Sequence, residues 1–159
     1  MKKKLIITLF VVAILAMVWG VFGQCASFQF LRFDDHDYTF FCPFVRTGLT
    51  AENIIASFTN FTHAAIWMPI TYISYMFDVA LWRGTAGAFH ITNVIIHSLN
   101  ALLVFIFLRS LVKLFSSSEE KEKSSFELMS MIGCSIIAIC WAIHPQRVES
   151  VAWIAGRKD

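Results

Sequence analysis

Residues 5–23, LIITLFVVAILAMVWGVFG, carry no charge, and that stretch constrains the chain more than any other feature. A helix rises about 1.5 Å per residue, so roughly 20 apolar residues cross the hydrocarbon core of a bilayer. Two further stretches qualify. One stays uncharged, histidines aside, from near Ala88 through Leu108, and the other runs from Leu128 to about Ile143, ahead of His144 and Pro145. The expectation is an all-α membrane protein with transmembrane helices at 5–23, 88–109 and 128–144. Composition agrees: 57% of the residues are hydrophobic and 15% charged, whereas soluble domains are nearer about 45–50% apolar and about 25% charged.

The first stretch has a rival explanation. Lys2, Lys3 and Lys4 ahead of it fit the basic start of a secretory signal peptide, with Val21-Phe22-Gly23 as a cleavage site. The apolar run is longer than the usual run of about 7–15 residues in such a leader, which favours an uncleaved anchor. Cys25 matches a lipoprotein acceptor, but Gln24 stands where that motif wants a small residue.

Lys and Arg set orientation in a bilayer. The first four residues carry Lys2, Lys3 and Lys4, and the 110–127 linker with its leading Arg109 carries Lys113, Lys121 and Lys123. The much longer 24–87 segment has only Arg32, Arg46 and Arg83. The N-terminus and the linker are therefore expected in the cytoplasm, and 24–87 and 145–159 on the other side. The linker's SSSEEKEKSS, mixing signs with serines, suits a solvated connection. Cys25 and Cys42 share the long segment; a disulfide between them and two free thiols both remain open.

Within 24–87, two short helices are expected. Thr50 can cap one, with Glu52 in its first turn and Ile54, Ile55, Phe58 and Phe61 at helical spacing. Pro69 suits the first turn of the next, which bears Ile70, Ile73, Met76 and Phe77. Trp67, Tyr72, Tyr75 and Trp82 are residues of the membrane–water boundary. Both helices are too short to span and are expected to lie at the interface. Asn60-Phe61-Thr62 is formally a glycosylation sequon, a pattern frequent by chance.

The second span carries a polar stripe, His90, Asn93, His97 and Asn100, on one helical face. Such groups point into a bundle or a wet cavity. They either bond neighbouring helices or, in the sharper reading, His90 edges an active cavity. Zinc does not fit the stripe, because seven residues separate its histidines by roughly 10 Å. After the third span, HPQRVESVAWIAGRKD brings Arg147, Glu149, Arg157, Lys158 and Asp159 to the side where positive charge is usually scarce. A solvated loop and a phosphate-binding site both account for it, since Arg and Lys hold phosphates.

The segments FDDHDY, VRTGLTAENI, WMPITYISYMFD, FHITNVIIHSLNALLVFIFLR and HPQRVESVAWIAGRKD, in this order, resemble the N-terminal membrane part of GT-C-type glycosyltransferases fused to tetratricopeptide repeats. These are relatives of the protein O-mannosyltransferases. The resemblance implies an enzyme passing a sugar from a polyprenyl-phosphate donor to a hydroxyl acceptor, on protein, at the extracytoplasmic face of a bacterial inner membrane. It implies catalytic carboxylates at Asp34 and Asp35; with such a donor, Arg157, Lys158 and Arg147 are expected to meet its phosphate, and His90, Asn93, His144 and Glu149 to line the cavity. Its partners are the bilayer, the lipid-linked donor and a protein acceptor, without nucleic acid. Asp35-His36-Asp37 also spells the D-x-D metal motif of nucleotide-sugar enzymes, a reading set aside because the segment faces away from the cytoplasm. No metal ligands are assigned. The family continues with more spans and repeats, so a chain ending at Asp159 is expected to be a fragment without activity of its own. A non-catalytic membrane or interaction protein is the alternative; a small transporter subunit would account for the stripe but not for the motifs.

Overall fold

The structure, a computed structural model, describes residues 2–61, 66–117 and 124–159. Thr62 of the sequon and the linker residues 118–123 lie outside the described residues, as do the side chains of Lys2 and Lys3. The described residues contain helices and no strand. Three of those helices are long and apolar enough to cross a membrane, over Lys4–Ser27, Ala86–Phe115 and Ser125–Ala142. The chain is an integral membrane protein of the all-α class.

It divides into two compact units, Met1–Phe22 with Ile95–Arg147, and Gly23–Val94 with Val148–Asp159. The first unit contains α1 (Lys2–Phe22), the greater part of α6 (Ala86–Phe115) and α7 (Ser124–Ala142). Helix α1 packs on α7. Ala101, Ala138 and Ala142 are fully buried, and such small side chains let helices approach closely where lipid offers no hydrophobic drive for association. Ala142 ends α7, so its carbonyl has no partner within the helix. His97 meets it with Nε2 at 2.8 Å. A carbonyl only accepts, so Nε2 carries the proton. The imidazole stacks on Trp141 and takes the edge of Phe22. At the other end of these helices Arg109 lies over the Phe105 ring and within 3.8 Å of Glu127.

The second unit contains the short helices. Helix α2 (Asp34–Tyr38) places Asp34, Asp35 and Asp37 in its first turn, where carboxylates suit the exposed N–H groups. Helix α3 (Pro43–Arg46) follows, then α4 (Ala51–Thr59), whose first turn is capped by Thr50 accepting from Asn53 N–H at 3.2 Å. Helix α5 (Pro69–Trp82) opens on its proline. It is stopped by Arg83 and Gly84, both at positive φ, before α6 begins at Ala86. One core joins these elements: Tyr38, Phe44, Val45, Tyr72, Tyr75, Met76 and Phe89 pack together with Ile154 from the C-terminal stretch. Helices α4 and α5 keep apolar side chains exposed on their other faces, among them Ile55, Phe58, Ile70 and Phe77. Helix α8 (Arg147–Ala152) and a final 3-10 turn (Ala155–Lys158) end the chain.

Candidate functional site

The two acids of the FDDHDY segment occupy different environments. Asp34 is half-buried, whereas Asp35 is fully buried and both its oxygens are taken. Asp35 Oδ2 accepts Leu31 N–H at 2.9 Å, and Oδ1 accepts Ala155 N–H, also at 2.9 Å. Thr39 closes the short helix by donating its hydroxyl to the Asp35 carbonyl at 2.5 Å. A carboxylate accepting two backbone N–H groups in a buried site is a strong, charge-assisted fixture. It holds α2 to the last residues of the chain, and through α2 it fixes where Asp34 stands. Burial, with Asp34 and Asp37 adding to it, pushes the neighbouring Tyr38 hydroxyl up.

The C-terminal stretch is tied to the unit by its backbone. Tyr75 donates its hydroxyl to Ile154 O at 2.8 Å, and Asn93 Nδ2 donates to Val151 O and Trp153 O, each at 3.1 Å. Gly156 is required here, because a Cβ at that position would stand 2.6 Å from Glu149 O.

Arg157, read from sequence as a phosphate ligand, turns inward. Its side chain is 4% exposed and pairs with the buried Asp78 at 2.7 Å. The rest of the fork donates to Asn93 Oδ1, Ser74 Oγ and Phe89 O, and the guanidinium lies over the Tyr75 ring at 4.5 Å. Burial pushes the Asp78 carboxyl up, against the pull of Arg157 and of Thr92, which donates its hydroxyl to Asp78. Sequence reasoning missed Asp78. The signal was present, since Asp78 is the one charged side chain in PITYISYMFDVALW. Lys158 remains partly open: its side chain is 24% exposed, over the Trp153 ring, with longer contacts to Ala155 O at 3.3 Å and Asp159 at 3.6 Å.

A cavity of about 500 Å³ is lined by Phe28, Gln29, Phe30, Leu31, His90, Val148, Glu149, Ala152 and Trp153. His90 and Glu149 thus share one wall. Asn93 does not line it, being committed to the C-terminal backbone and to Arg157. His144 and Arg147 lie in the first unit, along a groove of about 420 Å³ with Ile136, Ile137, Cys140, Trp141 and Gln146. Arg147 there sits over Trp141. Of the polar stripe, Asn93 and His97 bond backbone carbonyls and Asn100 is exposed, leaving His90 on the cavity. Asp35, His36 and Asp37 do not converge; among the described residues no three His, Cys, Asp or Glu side chains gather as metal ligands. Cys25 and Cys42 are buried free thiols.

No family model matches the chain, and no solved structure does. A curated protein of Drosophila melanogaster, described as Protein O-mannosyl-transferase Tmtc1, is 27% identical over 93 residues, which is 58% of this chain. The matched part spans 9% of that protein's own length. The similarity reaches a related glycosyltransferase family and says nothing of tetratricopeptide repeats.

Proposed function

We propose that the chain is the front part of an integral-membrane glycosyltransferase that passes a sugar from a polyprenyl-phosphate donor to a hydroxyl acceptor on protein. The observation that carries this reading is the pairing of a partly buried Asp34 with a fully engaged Asp35. Transfer to a hydroxyl needs a base to take the acceptor's proton. Asp34 has the freedom for that, while Asp35 positions it. Lys158 is a cation of this unit suited to the departing lipid phosphate, because its contacts are long and its side chain stays partly exposed. Arg157 neutralises Asp78 instead. The likeness to a protein named as an O-mannosyl-transferase supports the reaction class.

The same reading puts the N-terminus and the 110–127 linker in the cytoplasm, and 24–87 and 145–159 on the extracytoplasmic face, following the Lys/Arg distribution. The test uses proteoliposomes of the full-length protein with Asp37→Cys or Ser117→Cys, a membrane-impermeant maleimide, and a labelled polyprenyl-phosphate sugar. Labelling at position 37 from the face opposite position 117, with sugar transferred to a serine- or threonine-bearing peptide, is expected. Transfer from a nucleotide sugar but not from the lipid-linked donor would contradict the reading.

A further inference from the structure

Asn100 stands midway along the 30-residue helix α6, in a stretch long and apolar enough to cross a membrane. Its side chain is exposed, and no hydrogen bond reaches it among the described residues. Thr8 and Ser110, exposed hydroxyls of the spanning helices, are spent on their own backbone: Thr8 donates to Lys4 O at 3.1 Å and Ser110 to Ile106 O at 2.9 Å. A carboxamide needs partners for two N–H bonds and an oxygen. Hydrocarbon supplies none, and polar side chains within a membrane ordinarily face another helix or water.

Asn100 also belongs to a regular seam. Ile96, Asn100, Leu103, Phe107, Ser110 and Leu114 follow one another at alternating intervals of four and three residues, and all six are exposed. That alternation keeps one stripe of a helix against a partner helix as the two supercoil. The opposite side of α6 is already taken. His97, Ala101 and Phe105 are buried there, His97 bonded to Ala142 O and Phe105 with its ring 6.5 Å from that of Phe10. Helix α6 therefore has two packing faces, of which this unit fills one.

Lipid chains cover the apolar members of this seam but leave the amide unmet. A second α6 meets it. Copies of one chain insert with one topology, so two α6 helices pair in parallel and bring Asn100 opposite Asn100 at the same depth. A carboxamide is its own complement, each donating N–H to the oxygen of the other. Such a contact of one residue with its own copy is the isologous interface of a twofold dimer, and a single Asn within an apolar seam fixes its register. We propose that the exposed face of α6 binds α6 of a second copy of this chain, as a parallel pair centred on Asn100. The pairing does not depend on the transfer reaction.

Two measurements on the full chain test this. In the first, donor- and acceptor-labelled copies are mixed in detergent micelles, and energy transfer is followed as added detergent dilutes the protein. Self-association is expected to weaken about tenfold in Asn100→Leu and to persist in Asn100→Gln, which keeps the amide. Asn100 is exposed, so neither change touches the packed face of α6. In the second, Leu103→Cys with Cys140→Ser is oxidised by copper-phenanthroline in the membrane; Cys25, Cys42 and Cys134 are buried. A cross-linked dimer is expected from Leu103→Cys and none from Ile95→Cys, which lies off the seam. Energy transfer absent at every dilution, or equal in the parent and Asn100→Leu, overturns the pairing. So does cross-linking through position 95 but not 103; the amide then belongs to a different membrane helix.

Discussion

Asp35 Oδ1 accepts the backbone N–H of Ala155 at 2.9 Å, joining residues 120 apart in sequence. The bond makes the acidic turn and the GRKD end of the chain one structural object, and it separates the two acids by role. Asp35→Asn turns an amide N–H₂ toward one of the two backbone donors, Leu31 N–H or the buried Ala155 N–H, and leaves that donor without its acceptor. A loss of about 1–3 kcal/mol of stability is expected. It would be read as a lower thermal midpoint in detergent by Trp fluorescence, and an unchanged midpoint would remove the positioning role.

The Arg157–Asp78 pair predicts a different signature. Removing the cation alone leaves a buried carboxylate uncompensated, so Arg157→Met should cost about 3–5 kcal/mol. Replacing both, as Arg157→Met with Asp78→Leu, should recover much of that loss, because well-packed apolar residues often substitute for a buried ion pair. Arg157→Lys should also destabilise, since an ammonium cannot reach Asn93, Ser74, Phe89 O and Asp78 together. Were Arg157→Met as stable as the parent but poorer in donor use, the guanidinium would be a phosphate ligand after all.

The contrast between Arg157 and the helices shows what was legible in the sequence. The three long helices follow from uninterrupted apolar runs, and the starts of α4 and α5 follow from Thr50 and Pro69, all local signals. Arg157 was read by its surroundings in sequence, a basic cluster after a span, and charge statistics do not register a carboxylate 79 positions earlier. The partners of Asp35 and Asn93 are backbone groups of the C-terminal stretch. Backbone donors and acceptors are present at nearly every residue, so sequence carries no mark of which ones are used. His90 and Glu149 on one wall were within reach because both stood out as polar groups beside apolar segments; His144, equally polar, belongs to the other unit.

Cys42 gives a pH-dependent check on the core around Tyr72. The thiol is fully buried, and burial pushes it up to about 11, only partly offset by the backbone N–H groups of Val45 and Phe44. A raised folded pKa means that the native state keeps the proton while the unfolded chain releases it. Stability from this site is therefore complete below pH about 9 and is lost as pH rises toward 11. Maleimide should leave Cys42 unmodified at pH 8 without denaturant and label it on unfolding, with mass spectrometry as the readout. Rapid labelling of the native chain at pH 8 would contradict the buried placement.

The most direct measurement compares Asp34→Asn with the parent in the full-length protein, recording both the initial rate of sugar transfer from a polyprenyl-phosphate donor and the thermal midpoint. Asn keeps the shape of Asp34 but cannot take a proton, and Asp34 is only partly buried, unlike Asp35, whose carboxylate is held by two backbone N–H groups. The rate should fall by roughly 10²–10⁴-fold while the stability read from the midpoint stays within about 0.5 kcal/mol of the parent. Transfer at the parental rate by a folded Asp34→Asn protein would contradict the assignment of Asp34 as the base.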